Sequence, residues 1–376
     1  VAKNMALILT GNFNRKEVLP LIAEKFKALS GREAPILQLP ELEPLAEGLV
    51  KKIRITPIKI EILGWQTVPH NHTDRVALDV CENMITNDSE TGLMDQLSEN
   101  NEVMFVFGIP QKYNHTGSFS VIAIPKPFIQ SIRNTDKKIE AVFNKLKVGD
   151  FSSDLFNTSK FELSKQFQQE MEQLDGRGVA IGTAFSQGIP WKDYMDYPKK
   201  INEVTKEDIV RVAQKYFGKQ RSKIISRTGF PKKVKLDKPP FKAVSRTQKD
   251  SSIYAKSFKN IPSQSFQPKF LDFENDVEKT TIYKSHSLIK TTNPVNDLFY
   301  LTVKFKKGQL NNENLKVAVD LMNYSGAGKY SYSELKKAFS NIGCSYLFSC
   351  NENYITLTVN GSDVNLKSAI ALINYY

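Results

Sequence analysis

Only four histidines occur in the 376 residues: His70, His72, His115 and His286. Two imidazoles four apart on a helix, with a glutamate between them, can hold zinc and activate its water for hydrolysis. No pair in this chain has that spacing. His70 and His72 could be written as a metal pair. They lie in a Pro- and Asn-containing loop ahead of a helix start, which suits surface or capping roles. His286 falls at a hairpin turn, where it is expected to be exposed. The stretch 317–339 (VAVDLMNYSGAGKYSYSELKKAF) has a layout that can carry such a metal: helix, glycine turn, helix. Leu315, Val319 and Met322 recur at helical spacing, and Ser331 with Glu334 forms a capping-box pattern for the second helix. The first helix supplies neither histidine nor glutamate.

Other chemistry is sparse. Cys81, Cys344 and Cys350 are an odd number of thiols with no CxxC, which argues against a disulfide framework. Cys344 and Cys350 flank an apolar stretch and read as buried thiols. The net charge of +12 would suit nucleic acid, a membrane surface or an acidic substrate. The basic residues are scattered, and the densest run, Pro231-Lys232-Lys233-Val234-Lys235, lies in a linker-like region. They therefore read as solvated surface, and no nucleic-acid-binding motif accompanies them. No window approaches the roughly 18 uninterrupted apolar residues of a membrane helix.

The elements that would position these residues alternate between helix and strand. Residues 5–10 (MALILT) read as a buried strand. A helix capped by Asn14 and Glu17 follows, with Val18, Leu21, Ile22, Phe26 and Leu29 on its inner face. An edge strand is expected at 51–55 and strands at 59–66, 103–109 and 118–124, the last two antiparallel. Helices are expected at 73–84, 92–97, 128–146 and 152–174, and after the cap Thr205-x-x-Asp208. A short strand at 223–227 closes this first region. Residues 229–268 are rich in Pro, Lys and Ser, with Phe241, Tyr254, Phe258 and Phe266 as aromatic punctuation, and read as a linker. A hairpin at 280–291, a strand at 298–305, the helix–turn–helix, strands at 345–349 and 354–359 and a helix at 363–374 complete the pattern. The order strand, helix, glycine turn, helix, strand pair, helix occurs at 59–146 and again at 298–376, an architectural repeat with little residue identity. The class is α+β: two-layer modules with helices on a mainly antiparallel sheet.

Four of these stretches resemble one family in its own order. Residues 4–29 (NMALILTGNFNRKEVLPLIAEKFKAL) resemble the strand, Gly-Asn-Phe, helix signature of the insulinase/pitrilysin-like metallopeptidases, the inverzincins. Residues 92–127 resemble the middle of the same domain in bacterial members, and 204–217 (VTKEDIVRVAQKYF) its late helix. Residues 326–343 resemble the glycine turn and helix that follow the zinc motif. The resemblance covers nearly the whole chain.

Proteins of that family have two similar halves joined by a linker, each half made of two α+β modules. The resemblance implies that residues 1–228 are the second module of a first half, 229–270 the linker, and 271–376 the first module of a second half with a degenerate motif. Both ends read as cut, as in a segment of a longer protein. The motif positions fall on Val317, Ala318, Val319, Asp320 and Leu321. With Val317 and Leu321 where ligands would stand, that helix is expected to fill a core. No catalytic or metal-binding residue is expected in this chain, and no substrate-binding residue is assigned. The implied function is a chamber wall and linker of a zinc-dependent metalloendopeptidase, with zinc held upstream of Val1. Peptide or unfolded polypeptide would be the substrate, held as a strand against a sheet edge. The alternative is a non-catalytic partner or structural subunit of the same family, in a homodimer or a complex. Bacterial relatives with this kind of middle segment suggest the periplasm or cell envelope.

Overall fold

Helix starts and strand edges follow the local chemistry of the chain. The computed structural model describes residues 4–29, 31, 33, 39, 42–230, 240–241, 251–262, 270, 272–282 and 286–376. These form two compact units, one made of Val1–Pro231 with Val295–Tyr376 and the other of Lys232–Pro294. The run at 231–235 and Phe266 lie outside the described residues.

The first unit opens with α1 (Arg15–Phe26), where Asn14 accepts from the Lys16 backbone N–H at 3.0 Å and Glu17 receives the Asn14 amide at 2.6 Å. The sheet strands are β1 (Leu49–Thr56), β2 (Ile60–Thr67), β3 (Phe105–Lys112), β4 (Gly117–Ile124) and β5 (Ser222–Thr228). They assemble in the order β1-β5-β2-β4-β3, with β1 and β5 parallel and the other neighbours antiparallel. Helices α2 (Arg75–Ile85), α3 (Asp95–Glu99) and α4 (Ile132–Val148) come from the first strand crossings. A helical layer follows: α5 (Ser153–Glu172), α6 (Leu174–Gln187), α7 (Trp191–Met195), α8 (Tyr197–Glu203) and α9 (Lys206–Tyr216). Ser131 caps α4, and a Thr205–Asp208 capping box opens α9.

The core lies between sheet and helices. Trp65, Phe119, Phe143 and Phe217 are fully buried at its centre, with Trp65 and Phe143 ring centroids 4.6 Å apart. The Trp65 indole N–H donates to the Gly218 carbonyl at 3.0 Å, so burying this large side chain leaves no orphan donor.

A second, smaller core belongs to a second sheet in the same unit. Strands β8 (Leu298–Phe305), β9 (Ser345–Cys350) and β10 (Ile355–Ser362) order as β8-β10-β9, all antiparallel. Helices α11 (Leu315–Met322), α12 (Tyr332–Asn341) and, after a 3-10 turn, α13 (Leu366–Ile373) cover it. Val319, Leu335, Phe339, Phe348 and Leu357 pack together there. The other unit contains α10 (Ile253–Lys259) and a hairpin of β6 (Glu278–Ile282) and β7 (His286–Lys290).

The α+β class with a mainly antiparallel sheet stands as read. Three expectations do not. Residues 5–10 form no strand, and Met5, Leu7 and Leu9 are exposed. No described strand pairs with them, and an apolar strand cannot be buried without a ladder partner and a covering layer. The apolar face of α1 is likewise not buried, with Leu21 and Phe26 exposed. Phe128 lies outside α4, exposed and at φ 65°.

Candidate functional site

Helix α11 and the glycine turn after it have the layout of a metal-bearing motif. Its turn is built as the sequence implies: Gly328 has φ 54°, and a Cβ there would stand 2.6 Å from the Tyr375 ring. Only glycine fits both the angle and the space. Ser331 and Glu334 form the capping box of α12. The expectation that Val317 and Leu321 fill a core is wrong. Each is 62% exposed, whereas Val319 between them is 2% exposed. Leu315, Val319 and Met322 share one face, and positions two residues away point roughly 200° around the helix. Val317 and Leu321 are hydrocarbon and offer zinc no donor, so these residues do not fit the metal.

The histidines are scattered. His72 Nδ1 accepts the Asp74 backbone N–H at 3.0 Å just ahead of α2, a capping role. His70 is half-buried, and its imidazole is held below its ordinary pKa, first by burial and then by the Lys112 charge. His115 and His286 are exposed. Among the described residues no three His, Cys, Asp or Glu side chains gather as a metal site. Cys81 and Cys344 are buried thiols, and burial pushes Cys344 up to about 11; Cys350 is half-buried.

His70 and His72 do share a cleft, about 720 Å³, bounded by the start of α2, the end of β3 and the α5–α8 layer. Its floor is an ion network on α2. Arg75 Nε donates to Asp79 Oδ1 at 2.8 Å, and Arg75 Nη2 to Glu82 Oε2 at 2.6 Å. Lys112 from β3 reaches Asp79 at 2.7 Å, and Tyr197 of α8 donates its hydroxyl to the same carboxylate at 2.7 Å. Arg75 is 3% exposed and Asp79 4%. Burial pushes Asp79 upward, but the Lys112 and Arg75 charges outweigh it, and its pKa falls. Glu82 goes the other way. Burial dominates over Arg75 and pushes it up to about 7. Burial and the Asp79 charge raise the Tyr197 phenol well above its usual range.

The wall of the cleft is aromatic. Phe167 packs on Tyr194 and Tyr197, with centroids 5.7 and 5.9 Å away, and Trp191 stacks on Tyr194 at 5.6 Å. A mainly apolar cleft with a few convergent polar groups binds ligands.

Sequence reasoning missed Arg75, Asp79, Glu82, Lys112 and Tyr197. One signal was available. Arg75, Asp79 and Glu82 recur at helical spacing on a helix whose other residues are largely apolar, and charges buried in that way must pair.

Residues 1–163 match the family model described as the peptidase M16 inactive domain. The zinc protease PqqE of Helicobacter pylori is 23% identical over 221 residues, covering 57% of this chain and 49% of that protein. A protease structure from Helicobacter pylori superposes with a TM-score of 0.51 at 19% identity, over 58% of this chain and 54% of that one. A peptidase M16 inactive domain from Pseudomonas fluorescens gives a TM-score of 0.50 at 14% identity, over 57% and 52%. The chain thus spans about half the length of these relatives. The insulinase/pitrilysin-like resemblance read from the residues agrees with this match to a peptidase M16 inactive domain.

Proposed function

We propose, from this peptidase M16 inactive-domain match, that the chain is a non-catalytic stretch of a zinc-dependent metalloendopeptidase, a hydrolase of the insulinase-like kind. It would form chamber wall and joint between two halves. The observation that carries the reading is the family match over residues 1–163. The motif-bearing helix further on, where Val317 and Leu321 replace ligands, supports it. In this reading 1–228 is the second module of the first half, 229–270 a linker and 271–376 the first module of the degenerate half. Zinc belongs to residues upstream of Val1, and peptide or unfolded polypeptide is the substrate.

A homodimer or a partner subunit, and a periplasmic or cell-envelope location, belong to the same proposal. No described helix is long and apolar enough to cross a membrane. The test is metal analysis with a peptide-cleavage assay. The 376-residue chain should bind no stoichiometric zinc and cleave nothing. A parent chain carrying an upstream H-x-x-E-H should lose activity when that glutamate becomes glutamine. Tight zinc binding by the present chain, with activity abolished by a chelator, overturns the reading.

A further inference from the structure

The floor of the α2 cleft keeps one cationic donor unused. Arg75 and Lys112 face Asp79 and Glu82 across the floor. Arg75 lines the cleft, and its side chain is 4% exposed. Two of its donors are used on Asp79 and Glu82, but its buried Nη1 has no acceptor. An unsatisfied guanidinium nitrogen at a buried site costs about 1–3 kcal/mol. An anionic acceptor removes that cost. Beside the floor stand Phe167, Tyr194 and Tyr197, a surface for an apolar side chain. Glu170 and Asp193 at the rim are exposed carboxylates that repel an anion, and exposed Lys200 beside them offsets part of that repulsion, so attraction for an anion has to come from the floor.

We propose that this cleft binds a carboxylate carried next to an apolar residue of a polypeptide, with Arg75 and Lys112 taking the carboxylate and the Phe167–Tyr194–Tyr197 wall taking the side chain. This rests on the reading of the chain as a peptidase segment that handles polypeptide, and it adds a site away from the motif-bearing helix. The carboxylate can be a chain terminus or an acidic side chain. Neutral or cationic peptide ends gain nothing from the spare donor.

The experiment is calorimetric titration of the full 376-residue chain, with Trp191 fluorescence as a second readout because Trp191 stacks on Tyr194 at the wall. Three blocked tripeptides serve as probes: one ending in phenylalanine with a free carboxylate, its C-terminal amide, and an amide with glutamate before the phenylalanine. The acid, the glutamate amide or both should bind at least about tenfold more tightly than the plain amide, which corresponds to about 1.4 kcal/mol. Preference for the free terminus or for the glutamate peptide identifies the source of the carboxylate.

Lys112→Gln removes one cation at a partly exposed position while Arg75 and Tyr197 still hold Asp79, so the variant should fold. It should abolish most of the acid preference, and Tyr194→Ala should weaken all three probes alike. Equal affinities for acid and amides, or an acid preference unchanged in Lys112→Gln, overturns the carboxylate site. Those outcomes leave the peptidase reading intact, because that reading stands or falls on metal and cleavage in the parent chain.

Discussion

Two regions of this molecule repeat one plan with different outcomes. From β2 to α4 and from β8 to α13 the order is strand, helix, helix, strand, strand, helix. The likeness extends to register. Glu61 pairs with Ala123, and Phe299 pairs with Gly361, a displacement of 238 residues at both positions (61 to 299, 123 to 361). The third strand obeys the same displacement, because Phe107 pairs with Ile122 and Ser345 with Asn360. That shift carries Cys81 of α2 onto Val319 of α11, both buried against their sheets.

It also carries Asp79 onto Val317 and Asn83 onto Leu321, and here the regions part. In the first, α5, α8 and α9 cover the outer face of α2. In the second, no described helix covers that face of α11. The outcome inverts the usual pattern. The outer face with charges is buried and pairs them, while the outer face with hydrocarbon is exposed. Burial of a helix face depends on the layer laid over it, not on the face alone.

The largest effect expected from breaking this contrast is in the charged helix. Arg75→Met leaves Asp79 and Glu82 buried with less compensation and should cost about 3–5 kcal/mol, read from the shift in denaturant midpoint. A cost below about 1 kcal/mol would show that the network is not the buried core of the first region. Leu335→Ala, in the second core, should cost about 2–5 kcal/mol through the cavity it leaves.

A pH effect of intermediate size follows from the buried carboxyls. Burial raises Glu82 and Glu61 to about 7 from an ordinary 4.5, against the pull of Arg75 and Lys223 respectively. A raised carboxyl binds more protons in the folded state than in the unfolded state. Stability should therefore fall as pH rises from about 4.5 to about 7. Asp74 and Asp79 act in the opposite sense. Burial pushes Asp74 up, but hydrogen bonds from Lys215, Tyr216 and Arg211 hold it well below the ordinary range, so its contribution is lost on acidification. The melting temperature of Glu82→Gln should vary less between pH 5 and 7 than that of the parent, and an unchanged slope would assign the effect elsewhere.

The smallest effects belong to α11. Leu321→Ser should change stability by no more than about 0.5 kcal/mol, as surface substitutions do, and a loss above about 2 kcal/mol would mean that its face is covered. Asp320→Asn should leave peptidase activity of an active parent nearly unchanged, measured as kcat/KM. A large loss would place the working half here.

Much of this was legible along the chain. The capping boxes at Ser331 and Thr205, the antiparallel pairs and the helix–turn–helix need only near neighbours, because caps and periodicity are local physics. The repeat was legible as an order of elements, though not as a register. α6, α7 and α8 escaped notice. The sequence of α6, LDGRGVAIGTAFSQ, carries three glycines that lower helix propensity, so packing rather than preference forms it. The α2 cleft escaped with them, since its walls come from segments far apart in the chain, such as His70 and Tyr197, 127 residues apart (197 − 70). The sequence by itself determined the class, the element order, the absence of a histidine pair on 317–321 and the family resemblance, each a matter of residue type and short spacing. Only the tertiary structure decided which faces are covered. It exposed Val317, Leu321, Met5, Leu7 and Leu9, and it joined Arg75, Asp79, Lys112 and Tyr197 in one network. Burial is a property of what lies across from a residue, and no local pattern records that.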